Sequence, residues 1–228
     1  MSSKFKPLFL IFILHLISGQ CIYAQKLYDK YYTNVAFTEF LSDSSLDTRV
    51  EAEFIDLDFL SATIFHLTNV ERVKVKLDSF DFYDNLYLSA LLHSESMVRY
   101  NFFDHLNRQE RKWREPSDRI LYFDSSYIAL SENIAENNML DYKGDMLIYR
   151  LEFDENGNPK YLDKNGNAIE YSTYESLAKR LVEQWMNSRP HRENILNDAY
   201  KLLGCACAID SDKKPILIRC TQNFGTME

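Results

Sequence analysis

Glycine and proline are scarce in this chain, 6 and 5 of 228 residues, which excludes collagen-like and flexible-linker architectures. Positive charge is in deficit: 26 Lys plus Arg stand against 34 Asp plus Glu, a formal net charge of −8. That acidic balance argues against a nucleic-acid surface, which needs a basic stripe to neutralise phosphates. A long apolar run is also missing. Residues 8–17, interrupted by His15, are too few to span a bilayer as a mature anchor. What is present suits a globular domain of ordinary size, with 46% hydrophobic and 26% charged residues. Its 15 Tyr and 15 Phe predict a ring-rich core.

The short apolar run follows Lys4 and Lys6, the layout of a signal-peptide core. Cleavage after Ala24 makes Gln25 the new N-terminus and takes the net charge from −8 to −10 by removing both lysines. The rival is lipidation at Cys21, which the large Gln20 just before it disfavours. A secreted, extracellular or cell-envelope location is therefore expected. Removing residues 1–24 leaves Cys205, Cys207 and Cys220 where disulfides are permitted.

Residues 25–57 lack a clean period and read as a surface extension, with the domain proper at 58–228. Leu60, Ile64, Leu67 and Val70 form a first helical stripe, with Asp58 as its cap. Leu86, Ala90, His93, Met97 and Tyr100 form a second, starting near Asp84. Residues 107–119 are crowded with charged and amide side chains around Trp113 and Pro116, and read as a solvated loop. The 141–171 stretch reads as a β-hairpin insertion: a strand at 146–151, then two Asn-Gly turns at 154–158 and 163–167. Neither turn offers the loop and terminal glutamate of a calcium site. Ser172 and Glu175 suggest a capping box for a third helix, whose inner face carries Leu177, Leu181, Trp185 and Ser188 and which Pro190 ends. Two terminal strands, 202–209 and 216–224, complete an α+β domain.

Several blocks then fall in order: His93-Ser94-Glu95-Ser96-Met97, Asn101-Phe102-Phe103-Asp104-His105, Glu132-Asn133-Ile134-Ala135 and Trp185 through Leu196. Leu203-Gly204-Cys205 and Thr221-Gln222-Asn223-Phe224-Gly225 follow. From about Leu60 to Gly225 this set resembles the CAP superfamily of cysteine-rich secretory proteins, antigen 5 and pathogenesis-related proteins. The resemblance implies a three-layer α-β-α sandwich with a small antiparallel sheet between helices. It also implies a cleft holding two His and two Glu, matched here by His105, Glu132 and His191. The second glutamate falls at Ser188. Glu183 is no substitute, since it lies about 200° around the helix from Leu181; a pairing with Lys179 is expected instead.

Two imidazoles and a carboxylate suit a divalent metal such as Zn²⁺, with His105 and His191 as ligands. The same trio could move protons, with Glu132 as general base. No nucleophile accompanies them, since Ser94 and Ser188 lack an evident Ser-His-acid arrangement. The plainer reading is a hydrogen-bonded cluster that ties three loops to the sandwich. His93 and Trp185 read as core residues on apolar stripes, His66 carries no motif, and Glu136 reads as a solvated loop acid. The favoured function is a secreted binding module for a protein, lipid or sterol partner. The alternatives are a metal-assisted, peptidase-like hydrolase and a structural envelope component. Neither a nucleic-acid partner nor a transmembrane span in the mature chain is expected.

If Ile209 opposes Ile216 in the terminal hairpin, Cys205 faces Cys220 at bridging distance and Cys207 stays a buried thiol. The resemblance agrees, because plant members carry cysteines at the positions matching Cys205 and Cys220. Three reduced, packed thiols are the other outcome.

Overall fold

The computed structural model describes residues 28–32, 37–142 and 149–227. The leader, its cleavage site, Cys21 and the first part of the expected 146–151 strand lie outside the described residues. No helix among the described residues is long and apolar enough to cross a membrane.

Helix α1 (Leu57–Lys74) buries Leu60, Ile64 and Leu67 of the expected stripe, the first two fully enclosed, and leaves Val70 half-buried. Its cap is Asp56, not Asp58. Asp56 holds the extended backbone before the first turn and accepts from the amides of Asp58 and Phe59, while Asp58 accepts from the Tyr87 hydroxyl. The residues before it are more than a surface cover. Phe40, Leu46 and Val50 are buried in the same core as α1. Helix α2 (Asp84–Arg99) buries Leu86, Ala90, His93 and Met97, and Tyr100 falls at its exposed C-cap.

Residues 107–119 are not a plain loop. A 3₁₀ turn at Arg111–Trp113 leads into helix α3 (Pro116–Phe123), which Pro116 and a reciprocal Glu115/Asp118 cap start. Arg119 and Ile120 form the buried face of α3. Helix α4 (Tyr174–Asn187) is capped by Thr173 and Ser176 rather than Ser172 and Glu175. Ser172 is held one residue too early, its backbone bonded to Val50 and Met139. Glu175 is thereby left to pair with Lys179 at 2.8 Å, displacing the expected Glu183–Lys179 pair. Pro190 does not end α4; Ser188 does, and Pro190 sits in the first turn of helix α5 (Arg189–Ile195).

The strands are β1 (Asp81–Phe82), β2 (Tyr127–Asn138), β3 (Arg150–Phe153), β4 (Pro159–Leu162), β5 (Leu202–Asp210) and β6 (Leu217–Met227). The main sheet runs β1-β5-β6-β2, antiparallel except for the β1–β5 pair. Strands β3 and β4 form a separate hairpin, whose turn has Gly157 at φ 82°. In each Asn-Gly turn both carboxylate oxygens of the leading aspartate, Asp154 or Asp163, accept N–H donors, so these are hydrogen-bonded turns.

Strand alternation sends the two faces of the main sheet to different helices. Gly204, Ala206 and Thr221 face α2: a methyl group on Gly204 would lie 2.0 Å from the Tyr87 backbone nitrogen, and Ser94 donates to the Ala206 carbonyl. Leu203, Cys205, Ile218, Cys220 and Phe224 face α1 and α4 within the main apolar core. The result is the α-β-α sandwich. In the terminal hairpin Ile209 opposes Ile218, not Ile216. Strand β5 runs on to Asp210, opposite Leu217, so the connecting turn starts one residue later and the register shifts by two. A shift of two preserves both faces but changes the partners. Cys207, not Cys205, therefore bonds Cys220, with Cα atoms 4.1 Å apart. Cys205 is the buried free thiol, opposite Gln222.

Candidate functional site

Each side chain of the expected trio is delivered by a different element. His105 follows the end of α2, Glu132 lies mid-way along β2 and His191 sits in α5. Alternation along β2 aims Glu132 at the α2 layer and Asn133 at α5, where the Asn133 amide donates to the His191 carbonyl. His105 Nδ1 lies 2.8 Å from Glu132 Oε1. Since an ionised carboxylate only accepts, the His105 Nδ1–H donates this bond. The His105 and His191 ring centroids are 6.5 Å apart.

The residue that dominates this cluster escaped the sequence reading. Arg119, fully buried on α3, reaches Glu132 with Nη2 at 2.7 and 2.6 Å and with Nε at 3.2 Å. Its Nη2 also donates to the His105 carbonyl at 2.9 Å. Asn223, with its amide oriented to accept from the Ala90 N–H, donates to Glu132 Oε2 at 3.2 Å. Burial alone would raise the Glu132 pKa. The His105 hydrogen bond and the Arg119 charge overcome it, holding the carboxyl below its usual range. The one signal for Arg119 was the Pro116 helix start, which places Arg119 and Ile120 on a single inward face.

His93 is a core histidine, as its apolar stripe indicated. Nε2 lies 3.1 Å from the Asp104 carbonyl and 3.8 Å from Glu132, and Nδ1 is buried without a partner. Burial, reinforced by the Arg119 charge, brings its pKa down to about 4. Burial and the neighbouring His105 also lower that of His191. Trp185 is wholly buried and donates to the Ile134 carbonyl. His66 is buried too, within hydrogen-bonding distance of the Tyr31 carbonyl. Glu136 is not a loop acid. It belongs to β2 and pairs with the buried Arg219 at 2.7 Å.

The donor set does not fit a resident zinc ion. Both Glu132 oxygens are engaged by protein donors. Among the described residues, no three His, Cys, Asp or Glu side chains form a group that could hold a metal. Two surface cavities lie elsewhere. One of about 730 Å³ is flanked by Asp58, Tyr87, Glu95 and Cys207, the other of about 690 Å³ by Asn137, Tyr142, Arg180 and Ser188. His105, Glu132 and His191 line neither.

The model of the cysteine-rich secretory protein family, CAP, matches residues 65–224, which hold every residue of this cluster. The chain belongs to that family. Among curated relatives this CAP chain is 27% identical, over 141 residues, to the uncharacterised protein YkwD of Bacillus subtilis. The match covers 62% of the chain and 39% of YkwD, so the chain spans about two fifths of that relative. Among solved structures, an outer surface protein of Borrelia burgdorferi is similar at 17% identity and a TM-score of 0.52. That likeness covers 76% of this chain and 97% of the Borrelia chain, and shows the shared fold. An extracellular SCP-domain protein of Bacillus anthracis matches at 21% identity and a TM-score of 0.47, covering 73% of this chain and 40% of its own.

Proposed function

We propose that this CAP chain is an exported, non-catalytic module that binds a protein or lipid partner. The observation that carries the reading is the saturation of Glu132. A carboxylate bonded by Arg119, His105 and Asn223, and held ionised in a buried site, is a poor general base and has no lone pair to offer a metal. Its role is to anchor His105 and the loop that carries it. The Ser94 hydroxyl is buried and bonded to the Ala206 carbonyl and the Thr221 hydroxyl, without a histidine partner for activation. Export rests on the charged and apolar leader at residues 1–24, with Gln25 as the mature N-terminus. The outer-surface location of the Borrelia protein agrees with it.

A hydrolytic reading would use His105 beside His191, whose ring centroids lie 6.5 Å apart. Metal content and peptidase activity of the purified mature protein, with and without His105→Ala plus His191→Ala, separate the two. The module reading expects no stoichiometric zinc and no activity that the double variant removes. Zinc bound one per chain and lost in that variant would overturn it.

A further inference from the structure

Deepening the binding-module reading, and resting on it, we infer that the outer edge of β5 takes an extended peptide segment of a protein partner as a further strand. Strand β1 covers only the start of that edge, where it pairs with Leu202 and Leu203, and the Tyr83 N–H donates to the Leu203 carbonyl at 3.1 Å. Leu203 thus turns its backbone groups outward, and alternation turns those of Cys207 and Ile209 the same way. The close Cys207–Cys220 pair agrees. Its Cα atoms are 4.1 Å apart, the spacing of opposed residues that exchange no hydrogen bonds with each other. Among the described residues, no backbone partner meets the N–H or C=O of Cys207 or Ile209 on that side. Both residues are left with a donor and an acceptor pointing away from the sheet.

These groups face the cavity of about 730 Å³. Helices α1 and α2 lie on opposite faces of the sheet. A cavity touched by both helices and by Cys207, Ala208 and Ile209 therefore lies beyond the β5 edge. At the β1 end the Tyr87 hydroxyl donates to Asp58 at 2.7 Å and ties the two helices together. The edge is thus recessed between two walls, which keep out the edge of a second folded sheet and admit a single strand. A polypeptide backbone is the ligand that repeats donors and acceptors at the spacing of such an edge. The walls also select its side chains, which alternate between them. On the α2 wall stand Leu91 and Val98, and on the α1 side Asp56 and Asp58. Three carboxylates, Asp56, Asp58 and Glu95, outnumber Arg99 and Lys30, the latter 3.9 Å from Asp56. The segment that fits alternates apolar and basic residues.

The test is titration of the purified chain with a fluorescein-labelled Val-Lys-Val-Lys-Val peptide, read by anisotropy and by amide hydrogen exchange. In the free chain the Cys207 and Ile209 amides should exchange faster than those of Ala206 and Ala208, which face β6. With peptide at about ten times its Kd, exchange at Cys207 and Ile209 should slow about tenfold. Alternate residues of a strand point their N–H groups opposite ways, so N-methylating the valines or the lysines removes the donors of one side only. One methylated peptide should bind about 25-fold more weakly, near fivefold for each of the two donors lost, and the other like the parent. Equal binding by both methylated peptides overturns the proposal, since the backbone is then not the ligand. So does no binding at about 1 mM peptide, or binding that leaves the Cys207 and Ile209 amides unchanged. Amides already protected in the free chain also overturn it, by assigning the edge to a second copy or to another segment of this chain. Failure here leaves the module reading to its own zinc and peptidase assay, and a positive peptidase result would refute that reading without changing the exchange outcome.

Discussion

The two faces of the main sheet are both buried and are built on opposite principles. Toward α1 and α4 lie Leu203, Cys205, Ile218, Phe224 and the Cys207–Cys220 bridge, a continuous apolar core sealed by Trp185. Toward α2 and α3 lie Glu132, Glu136, Arg219 and Thr221, held by Arg119, His93 and Ser94. Apolar burial tolerates approximate partners, because its strength follows the area removed from water. A buried charge does not; it needs a named counter-charge at a fixed distance. The polar face therefore carries the geometric specificity of the domain and presents His105 and His191 at its margin.

Breaking that specificity should have the largest effect. Arg119→Met leaves Glu132 buried without its counter-charge, and urea denaturation should show a loss of about 3–5 kcal/mol. On the apolar face, reducing the Cys207–Cys220 bridge should cost about 3 kcal/mol, the chain-entropy figure for a loop of this length. Peptide mapping without reductant should recover the Cys207–Cys220 crosslink and a free Cys205.

Acid should act on the polar face through His93. His93 titrates near 4 in the folded chain and near 6.5 when unfolded, so its neutral form stabilises the fold fully above pH 6.5. Between pH 6.5 and 4 the unfolded chain takes up the proton first, and about 3 kcal/mol is lost across that window. The lowered Glu132 carboxyl adds a further loss below its ordinary range. Urea midpoints measured against pH should fall over this window, and His93→Gln should flatten the slope. The smallest effect belongs to neither face. Lys179→Ala removes an exposed i, i+4 pair with Glu175 and should change stability by about 0.5 kcal/mol or less.

The helices of the sandwich were legible because their stripes repeat at 3.6 residues and end in an apolar core, as Leu60, Leu86 and Leu181 do. Strand β2 was not, since both its faces are enclosed and its buried residues include Glu132 and Asn133, which read as polar motif rather than pleat. The three site residues could be named from ordered motif blocks. Arg119 could not, because nothing in a run of charged residues tells which one folds inward until Pro116 and Ile120 fix the helix face. The cysteine pairing turned on one residue in the length of β5, a boundary that alternation alone does not mark.

The saturation of Glu132 by Arg119 is the claim on which the functional reading stands, and a double-mutant cycle measures it directly. Arg119→Met and Glu132→Met should each destabilise the chain by about 3–5 kcal/mol, while the double variant should recover most of that loss because no lone charge stays buried. Single losses that simply add in the double variant, or single variants within about 0.5 kcal/mol of the parent, would contradict it.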